Sequence, residues 1–168
     1  MRRHSLRELP LSYPEVGATR GPLPGDYHHL VRHRTVGAGA TTFRAAAEQL
    51  MSWDLHRRAG LTVAPTTPSA VPGARVLLGL GRGPLTLRFG CEVVYVLAEP
   101  RRRGFAYGTL EGHPERGEEL FALEWRADDT VVLTITAFSR PATWWARAAA
   151  PLSRAVQRRI TRRYLHAL

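Results

Sequence analysis

One cysteine, no lysine and no asparagine occur among the 168 residues. The single thiol, Cys91, excludes an intrachain disulfide and suits a reducing compartment, so a cytoplasmic protein is expected. Long hydrophobic runs are missing too. The most tempting one is interrupted by Arg147, and none approaches the roughly 20 apolar residues of a membrane span. The basic start, Met1-Arg2-Arg3-His4-Ser5, is not followed by the apolar run a signal peptide requires.

Several chemistries are absent as well. The glycine-rich run Gly79-Leu80-Gly81-Arg82-Gly83-Pro84 follows a strand pattern, but another strand pattern comes next, Leu85-Thr86-Leu87-Arg88-Phe89. A phosphate-binding loop must open a helix, so this is a hairpin turn. His29 and His33 share a face of a strand about 13 Å apart, too far for one metal ion. No metal-ligand spacing or nucleophile elbow is present, and neither a metal nor a cofactor is expected.

What is present is arginine. The formal net charge is +10, and every one of the 24 basic side chains is arginine. Codon bias of a GC-rich genome explains that composition, although an excess of cations also attracts anionic partners over long range. From Arg140 to Leu168 there is no acid at all.

The apolar fraction of 44% is ordinary for a globular chain, and the length predicts one domain spanning residues 1–168. Residues 1–26 hold Pro10, Pro14, Pro22 and Pro24 with Gly17, Gly21 and Gly25, which predicts an irregular arm lying on the surface or across a pocket mouth. Tyr27 to Val36 reads as a strand. Thr41 or Thr42 then caps a helix running to about Arg58, whose end, including Asp54 and His56, is expected to be exposed. Ala74–Leu80 and Leu85–Leu97 alternate as strands, with Gly90 marking a bend or bulge. Cys91 falls on the apolar face as an inert thiol. Thr130–Phe138 is another strand, and Ser139-Arg140-Pro141 reads as the cap and first turn of a helix continuing to Leu168 with a kink at Pro151.

The organising stretch is Gly104 to Trp125, two alternating arms around a loop holding Gly112, Pro114 and Gly117. One face carries Phe105, Tyr107 and Thr109, then Glu119, Phe121, Leu123 and Trp125. An apolar face bearing a phenol and a carboxylate suits the wall of a pocket. Consecutive antiparallel strands followed by a terminal amphipathic helix predict an α+β fold, a curved antiparallel sheet wrapped around a long C-terminal amphipathic helix. This is the helix-grip layout.

Four motifs carry a family likeness. They are Tyr13-Pro-Glu-Val-Gly-Ala-Thr-Arg20, Trp53 with His56-Arg-Arg-Ala-Gly60, Gly104-Phe-Ala-Tyr-Gly-Thr-Leu110 with Gly112-His-Pro-Glu-Arg-Gly-Glu-Glu119, and Ala137-Phe-Ser-Arg-Pro-Ala-Thr-Trp-Trp145. Through them the chain resembles the domain-of-unknown-function 1990 family along essentially its whole length. By element order it is distantly similar to the START-like superfamily, which implies a hydrophobic-ligand cavity by analogy of fold.

The expected function is binding of a small apolar molecule between sheet and terminal helix. Phe89, Tyr95, Phe105, Tyr107, Phe121, Leu123 and Trp125 would line the site, with Trp144 and Trp145 near an end. The competing reading is that these side chains simply fill a core. An enzymatic variant of cyclase or hydro-lyase type would use Glu119 as general acid or base, Tyr107 as donor and His113 beside them. Against it stands a solvated cluster of Glu115, Glu118 and Glu119 pairing with Arg116 or Arg140. A third expectation is an interaction module docking RNA or an acidic partner on the arginine face of the last helix, though no nucleic-acid-binding motif accompanies those arginines. Ligand identity and oligomeric state are not legible.

Overall fold

The computed structural model describes Leu6 and residues 8–81, 83–143 and 150–168, with backbone only at Leu85 and residues 150–154. Seven strands form one antiparallel sheet: β1 (His28–Ala38), β2 (Thr62–Pro65), β3 (Arg75–Leu80), β4 (Leu87–Glu99), β5 (Arg102–Thr109), β6 (Glu115–Trp125) and β7 (Thr130–Pro141). Their order is β1-β7-β6-β5-β4-β3-β2, so the first strand returns beside the last and the rest form a meander. Among the described residues three α-helices accompany them: α1 (Gly39–Met51), α2 (Asp54–Arg58) and α3 (Ala150–Leu165). The sheet is curved and the fold is the helix-grip, as the element order predicts.

Local sequence signals and tertiary pairing disagree at two places. Ser139, Arg140 and Pro141 do not start a helix; they extend β7, with Ser139 between His28 of β1 and Gly117 of β6. Hydrogen bonding on both sides outweighs a weak cap preference, and the proline is tolerated because it ends the strand. The terminal helix is consequently shorter than the composition suggests, 16 residues or about 24 Å. The helix expected up to Arg58 is broken at Trp53, whose φ of 70° is left-handed, so that α2 leaves in a new direction.

The inner face of the sheet packs against α1, α2 and α3. Leu50, Trp53, Leu55, Phe105, Phe121, Leu133 and Ile135 are fully buried there. In α3, Tyr164 is buried, Val156 and Ile160 are half-buried four residues apart on the same stripe, and the intervening arginines are exposed. Full burial of such an aliphatic side chain contributes roughly 1.5–3 kcal/mol, and half-burial correspondingly less.

The outer face is covered by the N-terminal arm. It begins as a short antiparallel bridge, Leu11 to Leu110, with Ser12 N–H donating to the Thr109 carbonyl at 2.9 Å. Tyr13 and Tyr27 then pack edge-on to Phe138, at 5.7 and 5.0 Å between ring centres. Gly108 makes this approach possible, since a Cβ there would lie 2.2 Å from the Tyr13 hydroxyl. Beneath the arm sits Glu118, 3% exposed. Its carboxylate accepts hydrogen bonds from the Tyr13 hydroxyl and the Gly17 N–H, both at 2.6 Å, and from the Thr19 N–H at 3.0 Å. The Thr19 hydroxyl is a fourth donor. Glu118 therefore belongs to no solvated acidic cluster; it is the anchor of the arm.

A register shift in β4 between Val93 and Tyr95 turns the alternation over, so the bulge lies three to five residues beyond Gly90. Tyr95 is thereby carried to the outer face, where its hydroxyl meets Thr19 Oγ1 at 2.7 Å and Arg20 lies over its ring.

Removing the Glu118 carboxylate leaves four donors without an acceptor. Glu118→Ala is expected to cost about 3 kcal/mol or more, and Tyr13→Phe about 1.5–3 kcal/mol, in urea unfolding. A loss below about 1 kcal/mol for Glu118→Ala would show that apolar contacts hold the arm instead.

Candidate functional site

Strand alternation sends Glu118 outward and its neighbour Glu119 inward, toward α3. Glu119 stands directly opposite Tyr107 in the β5–β6 register, and the Tyr107 hydroxyl donates to Glu119 Oε2 at 2.8 Å. The pair borders a cavity of about 170 Å³ between the sheet and α3. Phe89 and Ala137 continue its sheet wall, Ile160, Thr161 and Tyr164 form its helix wall, and His113 reaches it from the loop after β5.

Electrostatics follow from the scarcity of polar partners. Burial raises the Glu119 carboxyl from 4.5 to about 7, and the Tyr107 hydrogen bond only partly opposes it. No cation is bonded to it among the described residues. Near neutral pH it is therefore present in both protonation states, as a group exchanging protons with a ligand must be. Burial and the nearby carboxyl push the Tyr107 and Tyr164 phenols well above 10, so both remain donors. The Cys91 thiol, also on the cavity wall, is pushed up by burial and is not a nucleophile.

His113 is held by its own loop. Its Nδ1 accepts the Glu115 N–H at 3.0 Å, which puts the ring proton on Nε2, and its ring meets Phe89 edge-on at 4.9 Å. Burial lowers it from 6.5 to about 4, so it is neutral.

The group that linear reading misplaces is His56. It is not at an exposed helix end; its exposure is 0%. The left-handed turn at Trp53 aims α2 so that the imidazole enters a cage of Trp53, Phe105, Tyr107, Phe121 and Tyr164, with ring centres 5.0–5.9 Å away. Neither ring nitrogen has a hydrogen-bond partner among the described residues, and burial lowers the imidazole from 6.5 to about 3. Two rings of that cage, Tyr107 and Tyr164, also border the Glu119 cavity. Nothing in the sequence besides the motif Trp53…His56 pointed to this placement, because a non-glycine left-handed residue leaves no compositional trace.

The expected site residues thus separate into groups. Glu119, Tyr107, His113 and Phe89 come together around the cavity. Phe105, Phe121 and Leu123 are fully buried and pack as core beside it, with Phe105 5.0 Å from Trp53. Tyr95 lies on the opposite face for the reason given above. Trp125 stacks on Phe43 at 6.2 Å under Arg101, at the α1 end of the sheet. Trp144 and Trp145 lie outside the described residues. Tyr164 and Thr161 also line the cavity; Tyr164 falls on the apolar stripe of the last helix, but neither was among the expected site residues. No group of three or more His, Cys, Asp or Glu side chains among the described residues is placed to hold a metal ion. No described helix is long and apolar enough to cross a membrane.

Comparison with known proteins places this geometry in context. A family model described as "Domain of unknown function (DUF1990)" matches residues 12–167. A UPF0548 protein of Deinococcus radiodurans is 35% identical over 177 residues, covering 96% of this chain and 87% of its own. A UPF0548 protein of Arabidopsis thaliana is 29% identical over 121 residues, covering 67% and 58%. Among solved structures, a hypothetical protein of Helicobacter pylori superposes with a TM-score of 0.65 at 10% identity, over 83% of this chain and 84% of the other. Truncated norcoclaurine synthase from Thalictrum flavum superposes with a TM-score of 0.51 at 12% identity, over 83% and 92%. At such identities the likeness is one of fold.

The two shifted groups give opposite pH dependences. His56 takes up its proton in the unfolded chain first, so stability is lost as pH falls from 6.5 toward 3. Glu119 releases its proton in the unfolded chain first, so stability is lost as pH rises from 4.5 through about 7. His56→Phe is expected to gain on the native chain by on the order of 3 kcal/mol between pH 6.5 and 4. Glu119→Gln is expected to gain by about 1–3 kcal/mol between pH 4.5 and 8. Thermal unfolding across that pH range checks both, and parallel profiles for variant and native chains would refute the assignments.

Proposed function

The chain belongs to the DUF1990 family of domains of unknown function, and we propose that it binds one small, largely apolar molecule in the cavity between sheet and α3. The ligand's polar end is held by Glu119 and Tyr107. One observation carries this reading: a carboxyl faces a mostly apolar cavity with a phenol as its hydrogen-bonding partner and, among the described residues, no cation. A residue kept only for packing would be better replaced by glutamine or leucine, since the desolvated carboxyl costs stability at neutral pH. The volume, about 170 Å³, suits a ring or a short branched chain; an engineered apolar cavity of about 150 Å³ takes up benzene. The neutral Tyr164 hydroxyl supplies a donor, the Tyr107 oxygen has lone pairs to accept with while its one proton is engaged by Glu119, and Glu119 donates or accepts according to its protonation. With its one thiol buried, the protein is suited to the reducing cytoplasm.

The same carboxyl favours a second reading, proton transfer to or from a bound substrate in a reaction of cyclase or hydro-lyase type. A group titrating near 7 combines a populated base form with an adequate conjugate acid. In that reading Glu119 exchanges the proton, Tyr107 steadies the developing charge by hydrogen bonding, and neutral His113 presents its Nε2–H nearby.

Mass spectrometry of a denatured extract is expected to reveal one co-purified small molecule in stoichiometric amount. Filling the cavity with Ile160→Trp is expected to abolish its retention, and Glu119→Gln to weaken it by about tenfold. Retention unaffected by Ile160→Trp would place the molecule elsewhere. Should turnover be found, its rate is expected to follow one ionisation near pH 7 that disappears in Glu119→Gln; an unchanged profile would remove Glu119 from the chemistry.

A further inference from the structure

Beside the cavity lies a second hollow of about 620 Å³, and the two share Leu80, Val156 and Ile160 as a common wall. Its remaining surface comes from the α2–β2 turn, Arg58-Ala59-Gly60, from Gly81 after β3, and from Arg159 and Arg163 of α3. Three arginines therefore belong to the lining of one open hollow. Among the described residues none of them is ion-paired; the four ion pairs found there engage Arg57, Arg75, Arg102 and Arg126. No Asp or Glu belongs to the cleft's lining, and α3 contains none.

The backbone accommodates this arrangement. Gly60 has φ +88°, a left-handed backbone that favours glycine, and a Cβ there would lie at ordinary contact distance, 3.4 Å, from Arg163 Nη1, so the turn packs directly beside that guanidinium. Arg163 Nη1 also donates to the Ala59 carbonyl at 3.5 Å, which holds it against the turn. Cations gathered in a concavity repel one another until an anion enters, and guanidinium forks match planar or tetrahedral oxyanions. The wall shared with the cavity is aliphatic. A convex polyanion such as RNA gains nothing from that wall, whereas a molecule with an apolar end and an anionic end uses both hollows.

We propose that the ligand is a small amphiphilic oxyanion, its ring or short acyl portion in the Glu119 cavity and its carboxylate or phosphate on Arg58, Arg159 and Arg163. This rests on the cavity-binding reading above and adds the ligand's charge. Glu119, which borders the cavity and not the arginine-lined hollow, then meets the uncharged polar end of the molecule, where its protonated form avoids repulsion.

The test uses three probes with one tail: 4-phenylbutanol, 4-phenylbutyrate and 4-phenylbutyl phosphate, titrated calorimetrically into the whole chain at low salt. Both anions are expected to bind at least about tenfold more tightly than the alcohol. Arg159→Gln/Arg163→Gln should bring them to within about twofold of it while leaving the alcohol's affinity unchanged. Arg58→Gln/Arg159→Gln, which spares the Arg163–Ala59 contact, should act in the same direction if the first variant folds poorly. Preference for the phosphate or for the carboxylate identifies which oxyanion the cleft suits. If the alcohol binds and the anions bind no better, the charge inference fails and the cavity reading stands. If none of the three binds, both fail. Anion binding that ignores the arginine substitutions, or that survives Ile160→Trp, overturns the link between cleft and cavity.

Discussion

Two adjacent carboxyls, Glu118 and Glu119, face opposite sides of one strand, and most of the molecule's organisation follows from how differently they are solvated by protein. Glu118 is buried under four donors from the arm, which replace the water it gave up. Glu119 is given one phenol and a largely apolar surround. The first arrangement ties residues 13–19 to the outer face of the sheet. The second leaves a proton that is easily exchanged near neutral pH, on the face that meets α3.

The inner face tolerates more than one such costly group. His56 is enclosed by aromatic rings with both nitrogens unpartnered among the described residues, a burden of about 1–3 kcal/mol for each unsatisfied polar group. Its neutrality follows from the same desolvation that raises Glu119, acting on a base instead of an acid. Tyr107 and Tyr164 stand between the two, so hydroxyls, imidazole and carboxyl form one polar inclusion in an aromatic core. These polar groups are concentrated on one part of the inner face, while Leu50, Leu133 and Ile135 of the same core are purely aliphatic.

Helix α3 serves both hollows. Its Ile160 and Tyr164 border the cavity, and Arg159 and Arg163 turn toward the α2–β2 turn. An all-arginine cation content reflects composition across the whole chain, but composition does not determine that three of these side chains converge in a concavity lined by no acid. That convergence depends on where α2 ends and on the left-handed glycine that follows it.

Much of the fold was legible. The runs Tyr27–Val36, Ala74–Leu80, Leu85–Leu97, the two arms of Gly104–Trp125 and Thr130–Phe138 named six of the strands, and an amphipathic terminal helix had only one sheet to cover. Because alternation has a period of two, it also placed Glu119, Tyr107 and Phe89 on one face. Local sequence could not count an extra residue in β4, so Tyr95 was assigned to the wrong side; nor could it weigh two flanking strands against a cap signal at Ser139-Arg140-Pro141. The left-handed turn at Trp53 sets the direction of α2, and only the packing of Trp53 into the core makes that backbone conformation worthwhile. Chemical types and sheet faces are properties of neighbours along the chain, and sequence determined them. Which aromatics fill the core, which border a space, and where His56 and the arginines meet them depend on contacts between distant segments, and only the tertiary structure decided those.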